Sequence, residues 1–262
     1  MSPKPSPKKI THTVPVLCKA IRVFEAVAQC SGDATSKSLA ASLRISPSTC
    51  YRILQSFVAL GWLRSRAGGT FELSFGLVPL LRPLLRHEVL IETVREPMTR
   101  LATTTGLTAK LTVRQGDDAI TISSVPSPRP HAIASRVGGV VSLAIGSSGA
   151  AFLGALSEEE IERILDVAPA DAWKFQKREG VLRRVREMRK LGCCFDGGSY
   201  QPHIHTLSAP LCARGEEVVG VITLLGFPQD FDGTAKAEFV RELKYTVGGC
   251  NQLIQGPVAS AA

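Results

Sequence analysis

Two groups of side chains have the types and spacing to do chemistry. The first is Cys193, Cys194, His203, His205 and Cys212, close together in the chain. A thiolate beside an imidazole makes a nucleophile, and Cys with His can also hold zinc. The spacing matches no metal signature, and strand alternation would put His203 and His205 on one face, toward a ligand or toward solvent. No phosphate-binding loop, dinucleotide fingerprint or nucleophile elbow occurs. The expectation is a non-enzyme with no catalytic residues, no metal and no cofactor. A Cys/His metal-binding or catalytic protein is the weaker alternative.

The second group is the outer face of a helical hairpin in SKSLAASLRISPSTCYRILQSFVALGWL, Ser36 to Leu63. Leu39, Ala40 and Leu43 make one apolar helical stripe; after a break at Arg44 to Ser46 a second follows at Cys50, Ile53, Leu54, Phe57 and Leu60. Ser46 is placed to cap the second helix, and Pro47 suits its first position. With the core side assigned, Ser48, Thr49, Tyr51, Arg52 and Gln55 face outward. Gly61 stops the helix. WLRSR and TFEL then form two short strands around Ala67-Gly68-Gly69, with Arg64 and Arg66 at the approach. Helix, turn, helix and basic hairpin make a winged helix-turn-helix, whose second helix enters a DNA major groove while the wing meets phosphates. The expected DNA-binding set is Ser46, Ser48, Thr49, Tyr51, Arg52, Gln55, Arg64 and Arg66.

The charge distribution agrees. The 262 residues carry a net charge of +8; Met1 to Leu90 hold twelve Lys or Arg against four Asp or Glu, whereas nineteen oppose nineteen from Ile91 onward. All the positive excess therefore sits with the helix-turn-helix, and phosphate neutralisation supplies most non-specific DNA affinity. A non-specific nucleic-acid-binding protein is the main alternative, but it leaves the larger, neutral part of the chain without a task. Hydrophobic residues at 44% and charged residues at 21% are ordinary for globular domains. The seven cysteines are odd in number and contain no C-x-x-C pair. They do not read as a disulfide framework, and with no signal-peptide pattern or membrane-length apolar run the expected location is the cytoplasm.

In order, residues 1–13 read as a flexible basic arm and 14–74 as the DNA-binding domain. An amphipathic first helix carries Leu17, Ala20, Ile21, Phe24, Val27 and Ala28. Residues 75–90 read as an apolar linker helix, bent or broken at Pro79 and Pro83 and again beyond it at Pro97; it needs a partner, and a second copy of itself is the natural one. Residues 91–256 read as an α+β domain. Ala109 to Arg114 and Ala119 to Val125 form a hairpin, and Ile133 to Arg136 is a further strand. A small-residue helix runs from Ala150 to Leu156, a basic helix from Gly180 to Leu191, and a closing helix from about Thr234 to Gln255. Strands at Cys193 to Asp196, Thr206 to Cys212 and Val218 to Phe227 complete an antiparallel sheet.

The chain resembles the IclR family of bacterial transcription regulators. The resemblance spans nearly its whole length and rests on LAASLRISPSTCYRILQSFVALGWL, TFELSFG, VGGVVSLAIGSSGAAFLGAL, REMRKLGCCFD, SAPL and VVGVITLLG. It implies an N-terminal winged helix-turn-helix joined by a linker helix to a GAF-like effector-binding domain with an antiparallel sheet. The implied partners are double-stranded DNA, a small organic acid effector and a second copy of the chain, as a homodimer or a dimer of dimers, with no membrane. Carried over residue by residue, the effector site falls at Ser147, Ser148, Asp196, Thr206, Thr223 and Leu225. Helix N-terminal amides near Ser147 suit a carboxylate. The family usually has Gly where Arg44 stands, Pro-Leu-His at Ser142-Leu143-Ala144, Gly-Lys at Gly149-Ala150, paired acids at Gly197-Gly198, and often a hydroxyl at Leu225. Leu225 in place of a hydroxyl points to a larger or more apolar effector, such as an aromatic acid, and Asp196 favours one that carries a hydroxyl.

Overall fold

The computed structural model describes residues 14–30, 34–81, 86–199 and 201–256. The arm expected at residues 1–13 and positions 82–85 of the expected linker lie outside them. The chain divides into two compact units between Arg86 and His87.

In the N-terminal unit, α1 (Pro15–Gln29), α2 (Ser36–Leu43) and α3 (Pro47–Ala59) precede an antiparallel pair, β1 (Leu63–Ser65) and β2 (Phe71–Leu73). A capping box opens α2: the Thr35 hydroxyl accepts the Ser38 amide at 3.1 Å, and the Ser38 hydroxyl accepts the Thr35 amide at 3.1 Å. The Ser46 hydroxyl accepts the Thr49 amide at 3.3 Å, with Pro47 next, as the sequence leads one to expect. Between the helices Arg44 adopts φ 53°, ψ 50°, the left-handed turn that Gly usually fills. Val23, Val27, Leu39, Cys50, Leu54, Leu63 and Phe71 are buried together. The expected stripe of α1 is corrected here: Leu17 and Ile21 are 58% and 56% exposed, and Val23 enters the core instead. This helix has more apolar residues than one face can hold, so periodicity alone does not select the buried side. Leu60, expected on the α3 stripe, is the exposed C-cap.

After the wing come a 3-10 turn, Phe75–Leu77, and one helical turn, α4 (Val78–Leu81). The next helix, α5 (Arg86–Thr105), runs through Pro97, where the sequence predicts an interruption. Burial of Val94, Met98 and Leu101 on one face holds α5 together across a single missing amide.

The C-terminal unit is built on a six-stranded antiparallel sheet. Its strands are β3 (Thr108–Gln115), β4 (Asp118–Val125), β5 (Val140–Ser142), β6 (Cys194–Asp196), β7 (His205–Cys212) and β8 (Val218–Gly226), in the order β5-β4-β3-β8-β7-β6. Residues 133–136 are irregular rather than a strand; the chain turns at Gly138-Gly139, and Val140 pairs with Ile120 instead. On one face α5 and α9 (Ala235–Gln255) pack Met98, Leu101, Phe239 and Leu243 with Leu111, Leu207 and Ile222. The other face carries α6 (Gly146–Leu153), α7 (Glu158–Asp166) and α8 (Arg178–Leu191), whose core includes Phe152, Ile161, Ile164, Val185 and Met188. The small-residue helix therefore begins four positions earlier than expected. A Cβ on Gly149 would lie 2.1 Å from the Leu143 carbonyl oxygen, so α6 reaches its seat only with glycine there. Ser157 caps α7 by accepting the Glu160 amide at 3.2 Å.

Candidate functional site

On α3, Ser48, Tyr51 and Arg52 are exposed and Thr49 and Gln55 partly so, while Ile53 and Leu54 point into the core. The outward face is thus polar, cationic and free to meet a groove. Ser46 is less free: its hydroxyl accepts the Thr49 amide and also donates to the Thr49 hydroxyl at 2.7 Å. In the wing, Arg64 and Arg66 both pair with Glu72, Arg66 at 2.7 Å. Hydrogen bonds from Arg66 and Arg64 hold the Glu72 carboxyl below the usual range. Glu72 went unnoticed in the sequence, although it stands opposite Arg64 once the hairpin is paired.

In the C-terminal unit the strand register sorts the remaining residues. Asp196, Thr206, Leu225 and Thr108 face one another across β6, β7, β8 and β3. The adjacent row on the same face is Cys194, Ser208, Thr223, Lys110 and Ser124. Thus the four strand residues named from the sequence share the face toward α6. Gly146, with φ +68°, turns the chain into α6; Ser147 and Ser148 in its first turn are buried.

A chain of hydroxyls links helix to sheet. Ser147 Oγ donates to Thr206 Oγ1 at 2.6 Å and lies 2.7 Å from Ser208 Oγ, which lies 2.9 Å from Thr223 Oγ1. Ser208, the central member, is not among the residues carried over from the family resemblance. Its position two residues beyond Thr206 on an alternating strand was the available signal.

Beside this chain, Asp196 is paired with Arg184, which is only 3% exposed, at 3.4 Å. Arg184 also donates to Gln176 Oε1 at 2.5 Å, and Gln176 Nε2 donates to the Ala144 and Ala172 carbonyls at 2.8 and 2.9 Å. Asp196 Oδ1 further accepts the Ser199 amide at 3.1 Å. Arg184 Nε is buried without a partner among the described residues. Val181, Arg184, Val185 and Met188 have core spacing on α8, so the arginine was visible as a charge in an apolar stripe.

The Cys/His group is dispersed. Cys194 Sγ donates to the Ser147 carbonyl at 3.2 Å, and burial pushes its thiol far above the usual range. Phe195 packs against the core under α9, and His205 stacks edge-on to it at 5.4 Å. His203 lies in a turn before β7, not on a strand beside His205. No group of three metal-capable side chains occurs among the described residues. A separate open cavity of about 690 Å³, lined by Leu101, Thr104, Tyr245 and Leu253, lies between α5 and α9; none of the named site residues borders it.

Comparison with known proteins accords with both units. Residues 16–67 match the IclR helix-turn-helix domain and residues 83–249 the C-terminal domain of bacterial transcriptional regulator IclR. The chain belongs to the IclR family: it is a transcription regulator with a DNA-binding helix-turn-helix and a C-terminal effector domain of helices on a curled antiparallel sheet. It is 22% identical to the transcriptional repressor IclR of Escherichia coli over 82% of this chain and 81% of that one. The fold is similar to that of the Thermotoga maritima IclR crystal structure, with TM-score 0.73 and 18% identity over 92% and 99% of the two chains. An IclR homolog from Microbacterium hydrocarbonoxydans complexed with 4-hydroxybenzoate gives TM-score 0.70 and 17% identity over 90% and 97%. Among the described residues no helix is long and apolar enough to cross a membrane.

Proposed function

We propose that the chain is a cytoplasmic regulator whose grip on an operator is controlled by a small organic acid, aromatic or hydroxylated. The observation that carries the reading is the hydroxyl chain of buried Ser147, Ser208 and Thr223 with half-buried Thr206 beneath the first turn of α6. Hydroxyls that satisfy one another can redirect to a ligand, and first-turn amides favour an anion. Ser148, Asp196 and Leu225 complete the assigned site. Asp196 alone would repel an acid, but Arg184 offsets its charge and leaves the carboxylate as a hydroxyl acceptor. The solved homolog with 4-hydroxybenzoate supports this effector class.

On the DNA side, Ser48, Thr49, Tyr51, Arg52 and Gln55 are assigned to base edges, and Arg64 and Arg66 to phosphates. Ser46 contributes by holding the start of α3. Phe75 is 85% exposed and Val78, Leu80 and Leu81 about half exposed, so this apolar stretch supports pairing of two copies on a palindromic site. Sedimentation showing a monomer at micromolar concentration would remove the dimer. A thermal-shift screen of organic acids tests the effector assignment, because a ligand of the native state alone raises the melting temperature. Stabilisation by hydroxylated or aromatic acids is expected; a flat response across the panel contradicts the reading.

A further inference from the structure

Resting on this reading of the sheet face as an acid-binding site, we propose that Lys110 is the residue by which the site selects an anionic effector over a neutral one of the same shape. Lys110 sits mid-strand in β3, flanked by Ala109 and Leu111, which are both wholly buried in the core on the other face. Its own side chain therefore rises on the face toward α6, in register with Ser124 and Thr223. Those neighbours, and Thr108 and Thr112 on its own strand, are uncharged. The carboxylate Asp196 on this face is three strands across and two residues along, about 16 Å at ordinary strand spacing and rise, and is held by Arg184.

Among the described residues, the Lys110 ammonium has neither a hydrogen bond nor an ion pair. Burial alone draws its pKa down from 10.5 to about 8. Lys110 is half-buried; an unpaired cation in such a partly desolvated position costs stability that a methionine or threonine would not. Such a group makes physical sense where a ligand supplies the missing charge. An anion lying over Thr223 would have the Lys110 ammonium on one side, the first-turn amides of α6 on the other, and the Thr223 and Ser208 hydroxyls beneath. At the far end, the Arg184 and Ser199 donors both reach Asp196 Oδ1 rather than Oδ2 among the described residues. Asp196 Oδ2 would lie 3.8 Å from a Cβ built on Gly146, beside the start of α6. The arrangement fits a monoanionic acid with a hydroxyl remote from its carboxylate.

The test is calorimetry on the full chain with 4-hydroxybenzoate and its uncharged counterpart 4-hydroxybenzamide. The unaltered protein should bind the acid about tenfold or more tighter than the amide, the scale of a charge-assisted hydrogen bond. Lys110→Met should bind both alike and, without the half-buried unpaired cation, melt at a higher temperature when empty. Lys110→Arg should keep the preference for the acid, which guards against a loss caused by misfolding. Acid preference retained in Lys110→Met overturns the role of Lys110 and leaves the site reading standing. Failure of the unaltered protein to bind either probe, or unchanged binding in Ser148→Trp, removes the site reading and the Lys110 assignment with it.

Discussion

Arg184 on α8 and Asp196 on β6 meet at 3.4 Å with side chains only 3% and 5% exposed, which joins the last helix of one face to the edge strand of the sheet. Removing one partner from such a pair leaves an uncompensated buried charge, typically at a cost of about 3–5 kcal/mol. Asp196→Asn should therefore lower the unfolding free energy by that order in urea denaturation. Adding Arg184→Met should recover much of the loss. A fully additive double variant would show that the two charges do not act as a pair.

The two cationic elements of the N-terminal unit should behave differently on DNA. Arg52 is exposed in the middle of α3, so Arg52→Ala should cost about 1–3 kcal/mol of operator affinity and relax specificity at one base position. Arg64 and Arg66 are held by Glu72. Glu72→Gln should release them, strengthening binding to all sequences alike and steepening its dependence on salt. Unchanged operator affinity in folded Arg52→Ala protein, or sequence-selective gains in Glu72→Gln, would contradict these assignments.

Arg44 holds a left-handed backbone, φ 53°, at the end of α2. A residue with a Cβ pays about 1–2 kcal/mol there, part of which glycine loses again through its freer unfolded chain. Arg44→Gly should raise stability by up to about 1 kcal/mol, read as a higher melting temperature. A clear drop would mean that the Arg44 side chain stabilises the turn in a way that its backbone angles do not reveal.

Lys110 sets a pH dependence whose sign can be worked out. Its pKa is about 8 when folded and 10.5 in the ordinary state, so between those values the unfolded chain binds the extra proton. Stability contributed at this position therefore rises as pH increases through that window, and below about pH 8 the full penalty is present. The stability advantage of Lys110→Met, about 3 kcal/mol at most near pH 7, should shrink toward pH 10. An advantage independent of pH would show that the gain came from packing rather than from the buried charge.

Much of this molecule was legible in the sequence because its signals were local. Ser46-Pro47, Ser157 before three glutamates, and alternating apolar runs place α3, α7 and most strands within a residue or two. What escaped depends on pairing between distant segments. Whether Ile133 or Val140 forms the edge strand is decided by the reversal at Gly138-Gly139, where the Gly138 amide bonds to the Thr121 carbonyl at 2.8 Å. Thr206 and Thr223 rest on the family resemblance; strand alternation puts Ser208 on the same face as Thr206, and the alignment of β7 with β8 sets it opposite Thr223. Lys110 is placed on the site face only by the register of β3, whereas Arg184 already stands in an apolar stripe of α8. Leu17 and Ile21 misled because an apolar residue on a helix shows that some face is apolar, not which face meets the core.

The central claim is that a small acid bound under α6 controls DNA binding by the other unit. The direct measurement is fluorescence anisotropy on an operator selected from random duplexes, at fixed salt, with and without an acid found by thermal shift, for the unaltered protein and Ser148→Trp. Ser148 is buried in the first turn of α6, and an indole there should fill the assigned site. The acid should change operator affinity of the unaltered protein by about 5- to 150-fold, the usual range of coupling between sites. Ser148→Trp should bind the operator equally well and ignore the acid. The same acid response in both proteins, or none in the unaltered one, would contradict the account.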